Sequence, residues 1–335
     1  MRMLSMPRDS CPRRALLALG IFLAGALTAR AAETVTVSAV RSTASAPMFI
    51  AAGKGYFAAE GLDVEFKYFT AALPVALAVV SRDADLGITG LSAGFYNLAG
   101  KGAVKVIAGG GREVPGGNLT AFIAGNQAYA QGLQHPRDIA GKTLGLTTFG
   151  GPFHYDVIKL AEKYGFPLAG MKLLPLQSFD NIAAAIKGGT IDAALLTSVA
   201  AQPLEQRGDG KIIGWVGDEI SWQLSAVFTS SANAAQHRAM LEHFLKAYRR
   251  ATADYDAAFQ HGAPGADAED LIRIIGEFTR LNAEETRKSL GWIDRDGRLM
   301  DGNIADQIAT WQKLGMVDAA VEAEAIVDAS YAAPQ

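Results

Sequence analysis

The stretch Pro47-Met48-Phe49-Ile50-Ala51-Ala52-Gly53-Lys54-Gly55-Tyr56-Phe57-Ala58-Ala59-Glu60-Gly61-Leu62-Asp63-Val64-Glu65 reads as a helix that runs into a strand. Proline suits the first turn of a helix, where its missing N–H costs nothing, so the helix is predicted over Pro47 to Glu60. Gly61 allows the tight turn that stops it, and Leu62 to Tyr68 becomes a strand. Immediately upstream, Thr34 to Val40 alternates and is rich in Val and Thr, the pattern of another strand. Arg41 to Ala46 is a small-residue loop between them. Strand, loop, helix and strand in this order form one turn of an α/β unit.

The pattern continues outward. Helices are predicted from Pro74 to Ser81 and from Ser92 to Gly100, and strands at Ala84 to Thr89 and Val104 to Ala108. Past the Gly- and Pro-rich stretch around Gly116, Leu119 to Ala124 reads as a strand crossing to a second unit. That unit has strands at Thr143 to Thr147, Leu173-Leu174, Ile191 to Leu196 and Ile212 to Val216. Its helices cover Pro152 to Tyr164, Phe179 to Lys187 and Val199 to Arg207. Leu224 to Thr229 crosses back, and from Asn233 the chain is mainly helical. Such alternation belongs to mostly parallel sheets covered by helices. Two units joined by crossing strands leave a cleft at the strand carboxyl ends.

Residues 1–31 are expected to be a secretory signal peptide. Arg2, Arg8, Arg13 and Arg14 precede an apolar run of 14 residues, Ala15 to Thr28, and Ala29-Arg30-Ala31 offers an A-x-A cleavage site. Arg13-Arg14 lacks most of the pattern flanking a twin-arginine signal, so ordinary secretion is the reading. Cleavage removes five Arg and one Asp, and the 31 basic and 34 acidic residues become 26 and 33. The net charge moves from −3 to −7, a poor balance for gripping nucleic acid. Cys11, the sole cysteine, goes with the signal, so the mature chain has no disulfide, thiolate nucleophile or Cys-based metal site.

Three ordered blocks carry a family resemblance. The first is the 47–65 stretch above, with Asp83-Ala84-Asp85-Leu86-Gly87-Ile88 after it. The second is Asp138-Ile139-Ala140-Gly141-Lys142-Thr143-Leu144-Gly145-Leu146 followed by Gly150-Gly151-Pro152-Phe153-His154. The third is Ala183-Ala184-Ala185-Ile186-Lys187-Gly188-Gly189-Thr190-Ile191-Asp192-Ala193-Ala194. The chain resembles the periplasmic solute-binding proteins for alkanesulfonates, taurine and nitrate and their relatives around thiamine-pyrimidine synthase. The resemblance implies an α/β, two-lobed type II periplasmic binding protein fold, each lobe a mixed, mostly parallel sheet flanked by helices, with a helical C-terminal tail. The expected lobes are 32–122 with 225–335, and 123–224. It further implies a monomer in the periplasm that binds a small organic anion by hinge closure. An ABC transporter permease with a cytoplasmic ATPase would be its partner, and no cofactor is expected.

The resemblance puts the cleft at the loops Arg41 to Ala46, Thr89 to Ser92, Thr147 to His154 and Leu196 to Ser198. Ser42, Thr43, Ser45, Thr89, Gly90 and Ser92 place hydroxyls and free N–H groups at helix starts, an arrangement that suits an anion and also serves ordinary capping. Thr148 and Gly150 do so in the second lobe, and Thr197 ends a strand there. Arg41 and Arg112 could pair with a carboxylate or sulfonate, or stand in solvent. His154 could donate to the ligand or cap locally. Phe149, Phe153 and Trp222 could stack on a ring or line an apolar wall.

No catalytic motif is present. Gly109-Gly110-Gly111 has Val114 where a dinucleotide fingerprint needs its last glycine, and Asp294-Arg295-Asp296-Gly297 lacks the spacing of a calcium loop. The five histidines make no H-E-x-x-H, and no G-x-S-x-G elbow occurs. Two other readings stay open. One is a thiamine-pyrimidine-synthase-like enzyme, although that resemblance calls for a cysteine-rich iron-binding segment this chain lacks. The other is a ligand-sensing domain for a membrane partner.

Overall fold

The computed structural model describes residues 32–331; the expected signal peptide lies outside them. Thirteen strands occur there: β1 (Glu33–Val40), β2 (Leu62–Phe69), β3 (Leu86–Gly90), β4 (Val104–Gly109), β5 (Gly111–Glu113), β6 (Thr120–Ala124), β7 (Thr143–Leu146), β8 (Lys172–Pro175), β9 (Ala193–Thr197), β10 (Lys211–Trp215), β11 (Trp222–Gln223), β12 (Ser225–Ser230) and β13 (Trp292–Ile293). They build two five-stranded sheets, β2-β1-β3-β12-β4 and β10-β6-β9-β7-β8, and a small sheet, β11-β5-β13.

The two large sheets share a plan. In the first, β1 runs parallel to β2 and β3, and β12 inserts antiparallel between β3 and β4. In the second, β7 runs parallel to β8 and β9, and β6 lies antiparallel between β9 and β10. Each sheet therefore takes its antiparallel strand from the point where the chain arrives from the other. β6 belongs to the second sheet from Thr120 onward, three residues ahead of the expected lobe boundary.

An aspartate clamp repeats in both. The Asp85 carboxylate accepts the Thr36 N–H at 2.8 Å, and the Asp192 carboxylate accepts the Thr143 N–H at 2.8 Å. In return the Asp85 and Asp192 N–H groups donate to the carbonyls of Thr36 and Thr143. Each clamp joins the entries of two parallel strands, where backbone groups have no ladder partner. This explains the recurrence of the Asp in Ala84-Asp85-Leu86 and Ile191-Asp192-Ala193.

The helix expected over Pro47 to Glu60 divides in two, Ala46–Gly53 and Tyr56–Ala59, because Gly55 adopts a left-handed φ of 71°. Its first half buries Met48, Phe49 and Ile50 under the C-terminal helices, where Phe49 stacks on Phe278 at 5.0 Å. The helices Pro152–Tyr164 and Phe179–Lys187 keep their expected bounds.

The small sheet is not foreseen from periodicity, since strands of two or three residues carry none. It forms where the chain crosses: β5 lies on the outward passage from β4 to β6, and β11 on the return from β10 to β12. The triple glycine belongs to this crossing. A Cβ on Gly109 would sit 2.4 Å from the Arg298 carbonyl oxygen, and one on Gly111 would sit 2.9 Å from the Ala44 Cα. Close approach of backbone to backbone is what these glycines serve. Among the described residues no helix is long and apolar enough to cross a membrane.

Candidate functional site

Between the strand ends of the two sheets lies a cavity of about 500 Å³, its open mouth included. From the first sheet come Val40, Ser42, Ala44, Ser45, Ala71, Ala72, Thr89, Gly90, Leu224 and Ser225; from the second come Thr120, Thr147, Pro152, Phe153, Phe179 and Thr197. Phe153, Phe179, Val40 and Leu224 make the wall mostly apolar, and seven hydroxyls interrupt it. No ionisable side chain lines the cavity.

Two of those hydroxyls, on Thr89 and Thr197, are buried without a hydrogen-bond partner, and that of Thr120 has only a loose approach to Glu113. Leaving a buried hydroxyl unpaired costs about 1–3 kcal/mol. Two of the other hydroxyls are engaged: Ser42 caps locally, accepting from the Ala44 N–H at 3.2 Å, and Ser225 accepts from the distant Gly111 N–H at 2.9 Å. Four helices begin at the cavity. Ser45 and Thr197 are N-caps, and Pro152 and Phe179 are first helical residues. The positive ends of four helix dipoles therefore face the same space.

The sheets meet directly beside it. The Ala93 N–H donates to the Gly150 carbonyl at 2.8 Å, and the Thr43 hydroxyl lies 3.5 Å from the Ser198 hydroxyl. A Cβ on Gly90 would come within 2.6 Å of Pro152 Cγ, so only glycine fits at this contact.

Of the residues expected at the site, Ser42, Ser45, Thr89, Gly90, Phe153 and Thr197 line the cavity. The others lie elsewhere. Arg41 stacks its guanidinium 3.6 Å over the Tyr68 ring and donates to the Phe278 carbonyl. Arg112 donates to Gln223 Oε1 at 3.1 Å and to the Arg298 carbonyl at 2.6 Å, with Trp292 beneath it. Trp222 is buried against Tyr155, ring centroids 4.6 Å apart. His154 Nδ1 accepts the Gly150 N–H at 3.0 Å, and its ring packs 5.7 Å from Trp311. That contact ties down the loop, and burial lowers the imidazole pKa, favouring the neutral ring that can accept. Phe149 is exposed and packs edge-on to His154. Thr43 donates to the Ser289 carbonyl, and Ser92 caps the Ala93–Gly100 helix at Phe95 N. Gly150 packs under Ala93, and Thr148 is half-buried behind Gly151.

Thr120, Phe179, Leu224 and Ser225 are cavity residues the site expectation omits, and Thr147 enters it only as the first residue of an expected loop. Their common signal is position. Thr147 follows a parallel strand, Phe179 starts the helix after one, and the other three begin or adjoin the crossing strands. Among the described residues no three His, Cys, Asp or Glu gather as metal ligands would.

Residues 42–261 match the family model described as NMT1/THI5 like. The chain belongs to the NMT1/THI5-like family. No curated protein matches it by sequence. Among solved structures, this NMT1/THI5-like chain is similar to the alkanesulfonate-binding protein SsuA from Xanthomonas axonopodis pv. citri bound to MOPS. The TM-score is 0.68 at 15% identity, covering 89% of this chain and 99% of that one. The periplasmic aliphatic sulphonate binding protein SsuA from Escherichia coli gives 0.66 at 15%, covering 88% and 92%. The periplasmic nitrate-binding protein NrtA from Synechocystis PCC 6803 gives 0.61 at 16%, covering 75% and 68%. Likeness at this identity is likeness of fold, and the fold is that of the periplasmic binding proteins.

Proposed function

We propose that this NMT1/THI5-like protein is the periplasmic receptor of an ABC importer, a monomer that closes two lobes on a small organic anion and delivers it to a permease driven by a cytoplasmic ATPase. The observation that carries this is the pair of partnerless threonine hydroxyls, Thr89 from the first sheet and Thr197 from the second, around one cavity where four helices begin. A ligand head group there would satisfy the hydroxyls and meet the positive helix ends, so an anion needs no arginine. Phe153, Phe179 and Leu224 would hold its apolar body. Hinge closure follows because the ligand gains contacts to both lobes only when they meet. A binding role, rather than catalysis, is supported by a lining without Cys, His, Lys, Asp or Glu, the usual nucleophiles and acid–base groups. Resemblance to proteins named for sulfonate and nitrate binding points the same way.

The test begins with the secreted protein purified from its own host and any retained compound identified by mass spectrometry. Scattering should then show the emptied protein contracting when that compound returns, and a strain lacking the protein should lose its uptake. Chemical turnover of the compound, or undiminished uptake in that strain, would overturn the reading.

A further inference from the structure

The outward and return passages of chain pair with each other. β5 and β11 run antiparallel, with Glu113 opposite Trp222 and Arg112 opposite Gln223. Successive residues of a strand face opposite ways. Arg112 turns to Gln223, Asp294 and the Arg298 carbonyl; Glu113 turns inward and is completely buried. Asp156, from the Pro152–Tyr164 helix, is also completely buried. Neither carboxylate, nor the Trp222 indole N–H, makes a hydrogen bond of good geometry; Thr120 and the Gly217 N–H approach Glu113 only loosely, as Trp222 does Asp156.

The groups facing this pair give it little compensation. Asp218, on the short Val216–Glu219 helix, adds negative charge toward Glu113, and Tyr155 packs on Trp222. No lysine or arginine acts on either acid. Thr120 and the Gly217 N–H oppose the effect of burial on Glu113, and Trp222 does so for Asp156. Bare carboxylates in such a place are far costlier than protonated acids. Burial accordingly raises Glu113 to about 8, and burial with the charge of Glu113 raises Asp156 well above the carboxylate range.

Each member of the cluster adjoins the cavity wall. Thr120, beside Glu113, lines the cavity. Asp156 lies one turn from Pro152 and Phe153, and Trp222 is two residues from Leu224, which line it too. The cluster thus joins both crossing strands to the helix whose first turn touches Gly90 across the cleft.

We infer that Glu113 and Asp156 form a proton-binding site at the chain crossing, and that loss of its proton drives the lobes apart. Ionisation of Glu113 would set an uncompensated negative charge in the dry space between the crossing strands and the Pro152–Tyr164 helix, and parting the lobes admits the water that relieves it. The opening rests on the hinged-lobe reading above; the bound proton does not.

Infrared spectroscopy of the ligand-free protein tests the proton directly. The C=O band of the buried carboxylic acids should be present at about pH 7 and lose its Glu113 component as pH rises past about 8. Glu113→Gln and Asp156→Asn should each remove or alter it. Small-angle scattering should show the wild type expanding between about pH 6 and about pH 9.5, and Glu113→Gln unchanged. The raised pKa also sets the sign for stability, which is fully present below pH 4.5 and falls as pH rises to about 8. That fall should be smaller in Glu113→Gln. If neither variant folds, the wild-type spectrum still decides: no acid band at neutral pH overturns the site. An acid band with no expansion overturns the coupling and leaves the proton. Failure of the receptor reading appears separately, as absence of any ligand-driven contraction.

Discussion

The cavity wall and the chain crossing both bury polar groups without partners, and they resolve the same deficit differently. On the wall, the hydroxyls of Thr89 and Thr197 face a space that a ligand can fill. Each is uncharged, so its cost is modest until a partner arrives. At the crossing, Glu113 and Asp156 are sealed in protein, and the deficit is met by retaining a proton. Uncharged groups can wait for a ligand, whereas buried charges have to be neutralised within the fold.

The sharpest way to break this division is at the crossing itself. Gly109→Val would drive a side chain into the Arg298 carbonyl, 2.4 Å from the new Cβ, and should cost about 3 kcal/mol of stability by denaturant unfolding. Replacing Thr89 and Thr197 together by Val should weaken ligand binding by about 2 kcal/mol in calorimetry while leaving the ligand-free protein as stable or more so. If that variant instead lost stability and kept its affinity, the hydroxyls would be structural. Gly90→Ala sharpens the contrast between wall and hinge, because its methyl meets Pro152 only when the lobes touch. It should lower affinity by about 1.5 kcal/mol and enlarge the scattering radius of the bound form, with an unchanged melting temperature. Smallest is Arg41→Gln, which removes the stack on Tyr68 and the bond to Phe278. A stability loss of about 1 kcal/mol with unaltered binding is expected, and weaker binding would put Arg41 back at the site.

Much of the fold can be read along the chain because its elements are long enough to show a period. Pro152–Tyr164 and Phe179–Lys187 carry their stop and start signals in their own residues. The crossing does not, since β11 and β13 have two residues each and exist only by pairing with β5. The site was half visible for a related reason. Ser42, Ser45, Thr89 and Thr197 sit at strand ends or helix starts, so topology alone carries them to the cavity. Trp222 and His154 occupy similar positions, but their rings turn to Tyr155 and Trp311.

By itself the sequence determined the order of α/β units and the small-residue loops at their strand ends. These follow from neighbours within a few residues or from regular repetition. Where each charged side chain goes was decided only in three dimensions. Arg41 finds the Phe278 carbonyl 237 residues away, and Arg112 the Arg298 carbonyl 186 residues away. A long, charged side chain settles on whichever distant acceptor the packed backbone brings within reach, and no local pattern records that partner.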